Sequence, residues 1–252
     1  MPVTSRQGNF VEGVCKMVHP VEIALNDPHY FLQFRPDSDA VHKHLSVPAE
    51  LKAFWMQGNE FNNSGDINRL YMLYHNLKAL DERETPGALA EVGVHKGNSA
   101  KILHMVSPAR KLYLFDTFEG FDARDVNAES QMLPVNDQAF KDASLTGVKA
   151  FVGTDANVVY CQGWFPDTAT MVPAGENFAL AHIDCDLGKP VAAALAFFYP
   201  RMSPGGLIIV HDYSSGWWKD VKPSVDGFMV DKPETPILLP DKSGSVVIAR
   251  QK

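Results

Sequence analysis

The sequence predicts an α/β chain: a doubly wound, mostly parallel sheet that finishes in a reversed strand and is preceded by a helical extension. Three observations carry this expectation. From Ala88 onward, short continuous apolar runs alternate with amphipathic segments, the pattern of strands covered by helices on both faces. The first run passes into a glycine-bearing turn at the point where a helix should begin. Near the C-terminus two apolar runs flank Asp241-Lys242-Ser243-Gly244, a turn that antiparallel strands can close.

Taken in order, residues 1–47 mix His, Pro, Asp and aromatics without sustained periodicity and read as an arm of short pieces. Between Pro48 and Leu80, apolar residues recur at three- and four-residue steps (Leu51, Phe54, Trp55, then Ile67, Leu70, Leu77), which predicts two amphipathic helices separated by Asn62-Asn63-Ser64-Gly65. Pro86-Gly87 ends the second helix and marks the division between an extension over residues 1–84 and a main domain over 85–252. Strands are expected over Ala88–Gly93, Lys111–Asp116, Val158–Cys161, Phe178–Asp184 and Gly206–Asp212. Helices are expected over Asn98–Val106 and from Pro190, whose stripe is Val191, Ala194, Leu195 and Phe198. Pro236–Pro240 and Ser245–Ala249 form the closing pair. Residues 117–157 are polar and weakly periodic, and so long a connection reads as a lid.

Composition narrows the function. The chain has 252 residues, 45% hydrophobic and 21% charged, enough for one large domain with an extension. Its 30 acidic against 23 basic residues give a net charge of −7, which argues against nucleic acid and for a small-molecule partner. Cys15, Cys161 and Cys185 are scattered and lack CxxC spacing, so neither a disulfide framework nor a structural zinc site is expected. No apolar run approaches the roughly 18 residues that span a bilayer, and the N-terminus lacks the apolar stretch of a signal peptide. A cytoplasmic protein without membrane contact is the expectation.

Ligands of doubly wound sheets lie beyond the C-terminal strand ends, where glycines let backbone approach the ligand. Glu91-Val92-Gly93-Val94-His95-Lys96-Gly97 stands at that place. Its Glu-x-Gly-x-x-x-Gly spacing is not the Gly-x-Gly-x-x-Gly of a pyrophosphate cradle, which argues against a nicotinamide oxidoreductase. S-adenosylmethionine has no phosphate and needs backbone polar groups for its amino-acid end and an acid for its ribose hydroxyls. Asp116, ending the second strand, can supply that acid; a tight strand-to-helix turn for Gly93 and Gly97 and a turn-capping carboxylate for Asp116 are the plainer alternatives. Glu91, Gly93, Val94, Gly97, Ser99, Asp116, Thr117 and Phe118 are the cofactor-binding candidates on these loops, joined by Gly163, Trp164 and Asp184.

His182-Ile183-Asp184-Cys185-Asp186 and His211-Asp212-Tyr213 end the fourth and fifth runs, so several carboxylates and imidazoles meet at one sheet edge. Such a density of carboxylates calls for a cation, and hard divalent ions such as Mg²⁺ take oxygen ligands. Asp184, His211 and Asp212 are the metal candidates. Asp186 is the candidate base, placed beside Asp184 by alternation if the strand continues, with a helix N-cap as its alternative role. A metal-independent scheme with His211 as base stays open, since imidazole titrates near neutrality. A non-catalytic cofactor-binding protein is the remote alternative, in which the acids are only a solvated edge. His182 reads as a hydrogen-bonded core residue and Cys185 as a small buried one.

In this order and spacing the pieces resemble the TylF/macrocin-type O-methyltransferases, which act on sugar hydroxyls of antibiotics and related metabolites. The likeness runs from about Thr85 to Phe228 through Glu91–Gly97, Asp116-Thr117-Phe118-Glu119-Gly120-Phe121, Gly163-Trp164-Phe165-Pro166-Asp167-Thr168, His182–Leu187 and Tyr199-Pro200-Arg201 to Gly206. The resemblance implies a Rossmann-like class I methyltransferase fold, S-adenosylmethionine as cofactor, Mg²⁺ dependence and a homo-oligomer. It gives Asp184 to metal and Asp186 to base. Two departures stand out. His211 replaces an oxygen donor with an imidazole better suited to transition metals. Leu187-Gly188 lacks an aromatic expected beside the base, which suggests a wider acceptor pocket. Trp217-Trp218 is a candidate stacking surface for that acceptor.

Overall fold

In the computed structural model, residues 46–57, 66–127, 129 and 139–251 are described; most of the N-terminal arm and the Asn62–Gly65 break lie outside them. Two helices come first, α1 (Ala49–Gln57) and α2 (Ile67–Glu82). Asp66 caps α2, its side chain accepting the backbone N–H of Arg69 at 3.2 Å. The alternating part follows: β1 (Ala88–Val92), α3 (Asn98–Val106), β2 (Leu112–Asp116), a single turn α4 (Ala123–Val126), α5 (Leu145–Val152), β3 (Val158–Gln162), β4 (Phe178–Ile183), α6 (Gly188–Phe198), β5 (Met202–Val210) and α7 (Val221–Met229). The short β6 (Ile237–Leu238) and β7 (Val246–Ala249) close the sheet.

The seven strands are ordered β3-β2-β1-β4-β5-β7-β6. The first five are parallel, and β7 runs antiparallel to β5, so the doubly wound sheet with a reversed strand is the architecture observed. Alternation sorts each strand between two cores. Leu89, Leu112, Leu114, Leu180 and Ile209 join Leu70, Leu73, Leu77 and Ile102 under α2 and α3. Ala90, Tyr113, Phe115, Ile183, Ile208 and Val210 join Val191, Leu195, Phe198 and Val225 under α6 and α7. Every residue of β1 and β4 is buried, as continuous apolar runs require.

Two local expectations change. The fifth strand begins at Met202 rather than Gly206, because Met202 already pairs with Phe178 of β4 and Gly205 and Gly206 pair with Arg250 beyond β7 (Gly205 N to Arg250 O 2.9 Å, Arg250 N to Gly206 O 2.8 Å). Within residues 117–157, α5 buries Val148 and Val152 in the core beside α3, so this part of the segment is packed structure. Among the described residues no helix is long and apolar enough to cross a membrane.

Candidate active site

The C-terminal ends of β1, β2, β4 and β5 open onto one cavity of about 290 Å³. The loop after β1 shapes one wall. Gly93 has φ +88°, and a Cβ there would overlap the carbonyl oxygen of Asp184, so glycine is required for the loop to cross the end of β4. Gly97, at φ +87°, precedes α3 with no room for a side chain beside Val152 and Val148.

Asp116 fastens this loop to its neighbour. Its Oδ2 accepts the backbone N–H groups of Val94 (2.7 Å) and His95 (2.8 Å), and its Oδ1 accepts that of Phe118 (2.6 Å). Three backbone N–H groups thus engage this carboxylate, which puts the capping role in place, and Asp116 also lines the cavity. Over the same loop, Asp142 is held by His95 Nε2 at 2.8 Å and by Lys96. Those two groups, His95 first, pull the Asp142 carboxyl down to about 2. Phe140 packs edge-on against His95 and Phe121, and Phe121 against Trp218, making an aromatic wall.

Eight of the cofactor candidates line the cavity: Gly93, Val94, Ser99, Asp116, Thr117, Gly163, Trp164 and Asp184. Trp164 is fixed by its indole N–H to Asp125 Oδ2 (2.8 Å) and by the Arg124 guanidinium 3.9 Å above its ring. Glu91, Gly97 and Phe118 are absent from the lining, and each has a structural partner instead. Phe118 is 2% exposed in the core under α2 and α3. Glu91 is wholly buried, with Oε1 2.7 Å from His182 Nδ1 on the neighbouring strand, which also gives His182 the core role expected for it.

The acidic cluster assembles from the other strand ends. Alternation puts Glu91, His182, Asp184 and His211 on the sheet face covered by α2, and α2 answers with Arg69. The guanidinium of Arg69, 5% exposed, donates to Asp184 Oδ2. His211 Nδ1 lies 2.9 Å from Asp184 Oδ1 and 2.7 Å from Asp212 Oδ2. Burial opposes ionisation of Asp184, but Arg69 and then His211 hold its carboxyl well below the ordinary range. Asp186 behaves oppositely: burial, then Asp212 and Asp184, push it well above that range. For His211, burial and Arg69 are outweighed by Asp184 and Asp212, which carry the imidazole up to about 10.

The route by which Asp186 arrives differs from the one expected. β4 ends at Ile183 and Asp186 has φ +64°, so strand alternation does not place it; a left-handed turn does. Nor does it cap α6: Leu187 occupies that position, and the free N–H of Gly188 is taken by Glu129 Oε1 at 2.6 Å. At Gly188 there is no room for a side chain, since a Cβ there would press on Asp220 and Ser224. The tryptophan pair divides, with Trp218 lining the cavity and Trp217 77% exposed.

Residues 61–244 match the sequence profile of the macrocin O-methyltransferases (TylF). The chain belongs to this family. Among its relatives, the 8-demethyl-8-(2,3-dimethoxy-alpha-L-rhamnosyl)-tetracenomycin-C 4'-O-methyltransferase of Streptomyces olivaceus is 30% identical over 59% of this chain and 61% of its own length. The mycinamicin III 3''-O-methyltransferase of Micromonospora griseorubida is 29% identical over 58% of this chain and 63% of its own. The chain therefore spans a little over three fifths of each of these relatives. In fold it is similar to the O-methyltransferase NovP, with a TM-score of 0.62 at 23% identity over 74% of this chain and 81% of that one. It is also similar to the SAH-bound methyltransferase PaMTH1 of Podospora anserina, with a TM-score of 0.56 at 14% identity over 100% and 98%.

A divalent ion fits the donors present in this macrocin O-methyltransferase family member. One ligand atom each from Asp184, His211 and Asp212 lies within 4.8 Å of the others. His211 Nδ1 is in hydrogen-bond contact with both carboxylates, at 2.7 and 2.9 Å, so an ion held by this nitrogen would take the place of its proton. Asp66, His211 and Asp241 form a second such group, but backbone N–H groups of Arg69, Lys242 and Ser245 already engage its carboxylates.

Arg69 and Lys242, both lining the cavity, escaped the sequence reading. The signal for Arg69 was available: it stands between Ile67 and Leu70, inside the buried stripe of an amphipathic helix, where an arginine needs a buried anion.

Proposed function

We propose that the chain is an S-adenosylmethionine-dependent O-methyltransferase acting on a hydroxyl of a glycosylated natural product, with Asp186 as general base and divalent-metal assistance. The observation that carries this reading is the opposite charge state imposed on two carboxyls of one cavity, Asp184 held as an anion by Arg69 and Asp186 given a strong affinity for a proton. Membership of the macrocin O-methyltransferase family and the sugar-directed names of two relatives support the acceptor class.

Each residue has a part. Ser99 offers its hydroxyl to the amino-acid end of the cofactor, Gly93 and Val94 form the wall beside it, and Trp164 offers a rigid flat wall. When bound, the cofactor supplies a methyl group on a sulfonium centre. Asp184, Asp212 and His211 would hold a divalent ion, which lowers the pKa of a coordinated hydroxyl. Asp186 takes the hydroxyl proton, and the oxygen is left aligned for in-line attack on the methyl carbon. His211 is less suited to that task, because its Nδ1 is set between the carboxylates of Asp184 and Asp212, among the donors named for the ion.

The test is a mass-spectrometric assay of purified protein with S-adenosylmethionine and a panel of glycosylated metabolites, repeated after chelation. A gain of one methyl on an acceptor hydroxyl, lost with chelator and restored by metal, is expected. Undiminished turnover after complete chelation would remove the metal from the scheme, and no methylated product from any hydroxylated acceptor would overturn the reading.

A further inference from the structure

Two features of the acidic cluster act in the same direction on any cation held there. His211 presents Nδ1 between the carboxylates of Asp184 and Asp212, so the donor group contains a nitrogen at its centre. Arg69 occupies the other oxygen of Asp184 from a buried position on α2, so that oxygen is withdrawn and part of the local negative charge is cancelled. Mg²⁺ is held almost wholly by charge, demands oxygen donors and gives up water reluctantly. Borderline transition ions gain from imidazole donation and depend less on net charge.

We infer that this centre selects a transition ion such as Mn²⁺, Fe²⁺ or Co²⁺ over Mg²⁺, and that His211 and Arg69 are the residues that set the preference. The inference rests on the metal-assisted reading above and goes beyond it by naming the class of ion. Both residues are fixed by the fold: His211 directly follows β5, its N–H bonded to Ile183 O at 2.9 Å, and Arg69 sits in the first turn of α2, anchored through Asp66. Asp66 and Asp241, the other carboxylates grouped with His211, already accept the backbone N–H groups of Arg69, Lys242 and Ser245, which leaves the Asp184 side as the site of the ion.

The experiment uses the full chain, stripped by chelation, and follows binding without turnover. Calorimetric titration with Mn²⁺ and Mg²⁺ is expected to favour Mn²⁺ by well over about tenfold. Pulsed EPR of the Mn²⁺ form is expected to show coupling to an imidazole ¹⁴N. His211→Asp should abolish that coupling and narrow the Mn²⁺/Mg²⁺ ratio by about tenfold, and Arg69→Gln should narrow the ratio while keeping the coupling. Comparable affinity for the two ions in the wild-type chain, absence of nitrogen coupling, or no binding of either ion would each overturn the inference. If Arg69→Gln does not fold, the His211→Asp comparison and the nitrogen coupling still decide it. Failure here with methyl transfer intact leaves the enzymatic reading standing; selective metal binding with no acceptor methylated leaves the metal inference standing and removes the enzymatic one.

Discussion

Asp184 and Asp186 are two positions apart yet titrate in opposite directions, and the difference lies in what each one touches. A buried guanidinium and an imidazole flank the first, and other carboxylates crowd the second. Because a base works only when deprotonated, turnover should fall on the acid side at a pH above the ordinary carboxylate value near 4, as measured by kcat against pH at saturating substrates. Asp186→Asn is expected to abolish methyl transfer while calorimetry shows cofactor binding within about threefold of wild type; an active variant would remove Asp186 from the mechanism. Asp116 is a different kind of aspartate, holding three backbone N–H groups with one side chain. Asp116→Asn leaves at least one of them without an acceptor, so stability should drop by about 1–3 kcal/mol in urea titrations and cofactor affinity should fall with the loosened loop.

At the scale of elements, the loop between β1 and α3 is shaped by its neighbours as much as by any ligand. Gly93→Ala would force a methyl group into the Asp184 carbonyl at a positive φ, and a loss of about 3 kcal/mol or more is expected in thermal and urea unfolding. Asp142, which ties the 139–144 segment to His95 and Lys96, is itself half exposed, so Asp142→Ala should change stability by less than about 1 kcal/mol. Its effect should fall on the KM values, because the aromatic wall of Phe140, Phe121 and Trp218 loses its tie to the loop after β1. Steady-state kinetics with varied cofactor and acceptor would show this, and unchanged KM values would refute the latch.

For the molecule as a whole, acid stability depends on the clasp that joins the end of α6 to the last strand. Glu234, its side chain 2% exposed, accepts from Tyr199 (2.5 Å), Arg250 (2.6 Å) and the backbone of Gln251 (3.0 Å). Burial opposes its ionisation, yet these donors bring the carboxyl down to about 2. A depressed carboxyl stabilises the fold above its unfolded value near 4.5 and loses that contribution as the pH falls toward 2. Glu234→Gln should therefore cost about 2–3 kcal/mol at pH 7 and nearly nothing at pH 2, read from urea unfolding at both. The sheet, its reversed strand and the gathering of acids at one edge were legible in the sequence, because apolar runs and strand-end motifs are local signals. The pairings of Arg69 with Asp184 and of Asp142 with His95 were not, since a partner 115 or 47 positions away leaves no periodic trace, although the place of Arg69 inside the buried stripe of α2 was a sign that it needs an anion. The path of Asp186 was not legible either, because one aspartate is compatible both with a continuing strand and with the left-handed turn that it makes here.

The buried pair of Glu91 and His182 has a consequence for how the chain finds its fold. The two residues face each other across β1 and β4 in register, with Leu89 opposite Leu180 two positions earlier. A slip of β4 by one residue would turn His182 toward the α6 face and leave the buried Glu91 carboxyl without its hydrogen-bond partner, an error that burial punishes heavily. The same pairing sets the height of Asp184 against Gly93. A polar contact with no access to the cavity thus works as an alignment key, excluding the mispaired sheets in which the strand ends that line the cavity would stand at the wrong level.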